Sequence, residues 1–298
     1  MPSSLTRRLV PAAAAVSAVL MLVTGCTGST TPEKDAPTPA AATAEVEPAV
    51  AAIAPASGSL QGGDTITITG EGLDSVSRIT VAGADATAIT VVSDSEVTAT
   101  VPRAANFQPA AASVEIFAGK TPVPAAAPLS FEYAVTTPVD AQLQYAYTHW
   151  QDYNLAEYGN FNPSGGDCVN FVSQTLMARG WEMTGDWYNK DAGADWTYSW
   201  IHVPTFDKWL RANQDRLGIT ELSIEQRDQV KPGDIVIFDW NLNNSHDHTQ
   251  IVSAVEVVDG VTKIKMVGHN KDTDWRDFDE TITIDHPDAY AHFWSLPL

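Results

Sequence analysis

Cysteine is nearly absent, with only Cys26 and Cys168 in 298 residues. Two thiols make no disulfide framework, and there is no Cys pair at zinc-site spacing. Basic side chains are also scarce: 17 stand against 37 acidic ones, for a formal net charge of −20. An acidic surface repels phosphate backbones, which argues against nucleic acid as a partner. No HExxH helix is present, and the acidic run Asp272-x-Asp274-x-x-Asp277-x-Asp279 lacks the glycine and terminal glutamate of an EF-hand loop. That run reads as a solvated acidic loop rather than a calcium site. Residues 48–134 hold no cysteine or histidine, so they carry no catalytic constellation.

What remains is enough for two domains behind a leader, with 44% apolar residues to build cores. Residues 1–25 read as an export signal, in which Arg7 and Arg8 precede an apolar run from Leu9 to Val23. Val23-Thr24-Gly25-Cys26 resembles the lipobox of bacterial lipoproteins. The resemblance implies cleavage after Gly25 and a diacylglycerol on the Cys26 sulfur. Residues 26–47, rich in Thr, Ala, Pro and Ser, read as a lipidated tether. The expected location is therefore the outer face of the cell membrane, held there by acyl chains.

From residue 48 to 134 the pattern is all-β. Thr65–Thr69, Arg78–Val81 and Glu96–Val101 alternate, with Gly62-Gly63, Gly70-Glu71-Gly72 and Gly83 as turns. Short strands at this density fit an immunoglobulin-like sandwich. Ile53-x-Pro55-x-x-Gly58, then Gly62 to Gly70, then Val81-Ala82-Gly83 resembles an IPT/TIG domain, which implies a spacer or binding module.

A second domain is expected over 138–298, of α+β plan. Thr137-Pro138-x-Asp140 has the cap, N1 proline and N3 acid of a helix start. Leu143, Tyr147 and Trp150 give that helix an aromatic face. Gly165-Gly166-Asp167-Cys168 opens another helix, with Asp167 as N-cap and Val169, Val172 and Leu176 at helical spacing. A thiol in the first turn feels the positive end of the helix dipole, which favours thiolate. The Trp-rich stretch Trp181 to Trp200 lines a cleft or packs a core. Phe206, Trp209 and Leu210 mark a short helix. Strands are expected at Ile235–Phe238, His248–Val252, Thr262–Val267, Thr281–Ile284 and Ala291–Trp294. Asp259-Gly260 is the hairpin turn between the second and third.

A cysteine nucleophile needs a base, and histidine is the usual one. Among seven histidines, His248 begins a strand downstream of Lys231-Pro232-Gly233-Asp234. Gly166 to Gln174, the Lys-Pro-Gly-Asp turn and Asp247-His248-x-x-Ile251-Val252 together resemble the amidase domain of the papain-like peptidase superfamily. They are similar more distantly to NlpC/P60 cell-wall peptidases. The resemblance implies Cys168 as nucleophile, His248 as general base and then acid, and His269 as the polar residue orienting the base. Asn270 is the alternative orienter, because adjacent strand residues point oppositely. Asn162 is the candidate side-chain oxyanion donor beside the Cys168 amide, with Asn160 competing. No metal or organic cofactor is expected. The implied substrate is a peptide or peptidoglycan stem. A rival zinc site would use His246, Asp247, His248 and His269. A rival function is a membrane-tethered binding protein with a catalytically silent hydrolase fold.

Overall fold

A computed structural model describes residues 46–298; the signal segment, Cys26 and most of the tether, residues 1–45, lie outside the described residues. In strand Thr65–Glu71 the threonines alternate with Ile66 and Ile68, both fully buried. That strand sits in a four-stranded sheet in the order Ala49–Ala54, Thr65–Glu71, Glu96–Thr100, Thr87–Ser93. The second sheet is built on Leu129–Ala134, Ala110–Ala118 and Val76–Val81. Ile79, Val114 and Phe131 from this sheet are buried with Ile66, Ile68 and Val97 from the first. The N-terminal domain is thus a β-sandwich.

Thr137 caps helix Pro138–His149 in the expected capping box with Asp140. Asp140 also joins the two domains. Its fully buried carboxylate accepts hydrogen bonds from Ser59 Oγ at 2.7 Å, from Thr136 N and Thr137 N at 3.0 Å, and from Gln61 N at 3.3 Å. Burial alone would raise its pKa. The hydrogen bonds from Ser59, Thr136 and Gln61 outweigh burial and hold it below the usual carboxylate range. Phe107 meets Tyr147 with ring centroids 4.7 Å apart, and the Arg103 guanidinium lies 4.2 Å from the Trp275 ring centre.

The C-terminal domain is a mixed α/β unit on one six-stranded antiparallel sheet. Its order is Thr220–Ser223, Tyr290–Ser295, Ile235–Asp239, His248–Val258, Val261–Gly268, Thr273–Asp277. Alternation assigns its two faces. Ile235, Ile237, Ile251 and Val267 join the core shared with the helices, while Val236, Phe238, Val252 and Met266 form a second core. Helix Cys168–Ala178 is buried along nearly its whole length between the sheet and helix Pro138–His149.

Several expectations change. Thr281–Asp285 is a π-helical turn, not a strand. The Asp277 carboxylate caps Glu280 N, and the Thr281 and Thr283 hydroxyls donate to carbonyls four residues back. Local side-chain bonds thus win over the β-propensity of a Thr-Ile-Thr-Ile run. The short helix is 15 residues long, Val203–Leu217, because Gly218 in the left-handed region stops it late. Strands Thr220–Ser223 and Thr273–Asp277 carry no alternation strong enough to announce them. The Trp-rich stretch is mainly core, with Trp187 and Trp200 fully buried and their ring centroids 4.6 Å apart.

Candidate active site

Two glycines set up the cysteine. Gly165 and Gly166 have φ of +114° and +133°, a region closed to most side chains. A Cβ on Gly166 would also stand 3.0 Å from Asn270 Oδ1. The backbone can therefore run against Asn270, whose side-chain oxygen accepts from Asp167 N. Asn270 itself sits at φ +64°, a conformation asparagine tolerates better than most residues. Its Nδ2 donates to Asn162 Oδ1, tying the loop before the cysteine to the end of strand Val261–Gly268.

Asp167 does not cap the helix with its side chain. Its buried carboxylate turns back instead. Oδ1 accepts from Phe161 N and from Asn170 Nδ2, each at 3.0 Å, and Oδ2 lies 2.8 Å from His269 Nδ1. Asn170 Oδ1 in turn accepts from Trp200 Nε1 at 2.8 Å. The expected N-cap loses to this network because the carboxylate satisfies the Phe161 and Asn170 donors and meets the His269 ring instead.

Cys168, His248, Asn162, Asn270, Gly165, Gly166, Trp240 and Asp247 line one pocket of about 410 Å³. The turn that follows strand Val261–Gly268 decides which neighbours enter it. The strand ends before His269 and Asn270, which form a turn. There Asn270, at φ +64°, directs its side chain to Asp167 N and Asn162, while His269 turns to Asp167 Oδ2 and the His149 carbonyl. Asn270, not His269, therefore shares the pocket with His248. His269 is packed away at 1% exposure, stacked on Tyr153 at 3.5 Å and near Phe171 at 4.1 Å. Asn160 accepts from Asn162 N at 3.0 Å and is not part of the pocket wall.

The electrostatics differ from the activated pair expected from the helix dipole. Burial pushes the Cys168 thiol up to about 11, although the Thr249 and Val169 backbone amides act to lower it. Burial pushes the His248 imidazole down to about 3, reinforced by the positive charges of Arg276, His286 and Lys271. At neutral pH both groups are uncharged in this geometry. Desolvation of a thiol and an imidazole in one pocket outweighs the dipole of a short helix. Among the described residues no hydrogen bond joins Cys168 Sγ to His248, and the buried His248 Nε2 has no partner.

The loop whose role was illegible in sequence is held by carboxylates. Asp239 accepts from Asn241 N, Asn243 N and Asn244 N, and Asp247 Oδ2 accepts from Trp240 N at 2.8 Å. This holds Trp240 at the pocket wall, where it stacks on His286 with centroids 3.9 Å apart. Asp-x-Asn-x-Asn-Asn, an Asx-turn composition, was the available signal. His246 leaves the pocket for Asp207, 3.4 Å away, beside His292. His246, His248 and His269 thus occupy three environments, and among the described residues no group of three His, Cys, Asp or Glu side chains is arranged to hold a metal. In the acidic run, Asp277 pairs with Lys265 and Asp279 with Arg227 and Lys263.

Residues 48–133 match the model of the IPT/TIG domain family, and residues 138–294 match the family described as "Putative amidase domain". "Uncharacterized protein YhbB" of Bacillus subtilis (strain 168) is 30% identical over 118 residues, covering 38% of this chain and 35% of that protein. The chain thus spans about a third of the length of this curated relative. Among solved structures, the plexin A4 extracellular region is 19% identical over 28% of this chain and 8% of its own, with a TM-score of 0.25. The Bacteroides ovatus mixed-linkage glucan utilization locus protein SGBP-B, in complex with a mixed-linkage heptasaccharide, is 8% identical over 84% of this chain and 52% of its own, also at a TM-score of 0.25. Likeness at that score carries no argument. Among the described residues no helix is long and apolar enough to cross a membrane.

Proposed function

The chain belongs to the family described as "Putative amidase domain", which matches more than half of it, and from that premise we propose a cysteine amidase or peptidase. The observation that carries the proposal is the shared pocket of Cys168 and His248, walled by the side-chain amides of Asn162 and Asn270. In this reading the fold of the C-terminal domain is papain-like. Both groups start neutral. As substrate fills the pocket, His248 turns its unpartnered Nε2 towards the sulfur and takes the thiol proton while Sγ attacks the carbonyl carbon. The Cys168 backbone amide and the Asn162 side-chain NH2 donate to the oxyanion; Asn162 Oδ1 is already spent on Asn270 Nδ2. The imidazolium then gives its proton to the leaving amine, and water hydrolyses the Cys168 thioester through the same base.

In the full reading the protein is exported, lipidated at Cys26 and held on the outer membrane face. Its substrate there is a peptide or peptidoglycan stem, and the sandwich is a spacer or binding module. The silent-hydrolase alternative is favoured by one observation, the neutral and unconnected Cys168–His248 pair. The deciding experiment incubates the protein with amide-linked peptides and wall stem peptides and follows cleavage, with mass spectrometry of acyl-Cys168 after rapid quench. Cleavage and a thioester adduct, both absent in Cys168→Ala, support the amidase. Neither event with any amide substrate leaves the tethered binding protein.

A further inference from the structure

His269 is the one histidine whose two ring nitrogens both face acceptors that have no proton to give. Nδ1 lies 2.8 Å from Asp167 Oδ2, and Nε2 lies 2.8 Å from the His149 carbonyl oxygen. A carbonyl oxygen only accepts, so Nε2 must carry a hydrogen. The other Asp167 oxygen takes two N–H donors, from Phe161 and Asn170, as an ionised carboxylate does. Against an ionised Asp167, Nδ1 carries a hydrogen too. A neutral imidazole has one N–H and would leave a buried acceptor pair facing each other.

We propose that His269 is a buried imidazolium, ion-paired with Asp167, and that it acts as a positioning residue for the nucleophile rather than for the base. The geometry around it suits a cation. The ring lies parallel to Tyr153, 3° between planes and 3.5 Å between centroids, and close to Phe171. The titratable and charged groups around it are Asp167 from the cysteine loop, Tyr153 from the segment after the first helix, and Asp272, which accepts from Tyr153 Oη at 2.6 Å. His149, at the end of the first helix, contributes its carbonyl.

The pair ties three segments into one unit: the end of helix Pro138–His149, the loop before Cys168, and the strand end that carries Asn270 into the pocket. Asp167 immediately precedes Cys168, so the ion pair sets where the sulfur and the Cys168 N–H stand. Deprotonation of His269 removes one of the two N–H groups and frees this corner.

The test is ¹⁵N NMR of histidine-labelled protein, assigned by difference against His269→Gln and Asp167→Asn. It is repeated in Cys168→Ala, so an inactive enzyme does not affect the result. The expected result at pH 7 is both His269 nitrogens in the protonated range, with one moving to the unprotonated range in Asp167→Asn. A single protonated nitrogen in the wild type, or a His269 spectrum unchanged by Asp167→Asn, overturns the proposal. The positioning role is read from Cys168 alkylation against pH. Asp167→Asn is expected to shift that profile, whereas Asp167→Glu, which keeps the charge, restores it at least in part. Identical profiles for all three proteins overturn the role even if the ion pair stands. Should His269→Gln fail to fold, Asp167→Asn alone assigns the signal.

Discussion

His248 opens one strand and His269 follows the end of its neighbour, both almost fully buried, yet their surroundings are opposite. His269 has a partner for each nitrogen and an aromatic ring on its face. His248 has an orphaned Nε2, loose stacking on Trp240 at 5.7 Å, and a pocket in front of it. A buried polar group left without a partner costs stability, and a fold keeps such groups where something else completes them. The satisfied histidine holds structure together. The unsatisfied one borders the pocket that Cys168 also lines.

Five substitutions press on this contrast. The largest effect is expected at the proposed nucleophile and base. Cys168→Ala should lower amide cleavage about 10⁴-fold or more, and His248→Gln about 10²- to 10⁴-fold, measured as kcat/KM on whichever peptide is cleaved. Stability should run the other way. His269→Gln leaves the Asp167 carboxylate buried without its cation and should cost about 3 kcal/mol. His248→Gln, which breaks no hydrogen bond, should cost less than about 1 kcal/mol. Denaturant unfolding of the two variants checks this, and equal losses would erase the distinction between the two histidines.

A smaller effect is expected at the pocket rim. Asn162→Ala should reduce kcat about 10²-fold with KM little changed, the mark of a donor used only in the transition state. The smallest lies at the domain junction. Asp140 has its pKa lowered on folding, so its contribution is present above the unfolded value of 3.8 and lost as pH falls through the folded one. Asp140→Asn should therefore flatten the acid side of the stability profile, by about 1 kcal/mol, in thermal melts from neutral pH downwards. An unaltered acid limb would remove Asp140 from the junction's energetics.

Much of this was legible in the chain. The capping box at Thr137 and Asp140 is a matter of residues three apart, and it formed as expected. The Thr-Ile alternation of 65–69 and the helical spacing after Cys168 likewise express local periods that tertiary contacts reinforced. The same reasoning failed where distant partners competed for a local group. Asp167 looked like a cap, but Phe161 and Asn170 brought it two donors and His269 met its other oxygen. Residues 281–284 looked like a strand until the Asp277 cap and two threonine hydroxyls offered the backbone a helical alternative.

The sequence by itself determined the division into a sandwich and an α/β unit, the helix that presents Cys168, and the strand that begins at His248. Each follows from periodicity and turn chemistry within about ten residues. Only the tertiary structure decided between His269 and Asn270, since that depends on which distant partners meet the turn after strand Val261–Gly268. It also decided the protonation of the pocket. Burial pushes the Cys168 thiol up to about 11 and the His248 imidazole down to about 3, reversing what the helix dipole alone predicts. Distant hydrogen-bond partners and desolvation are properties of packed chains, and neither is present in a list of residues.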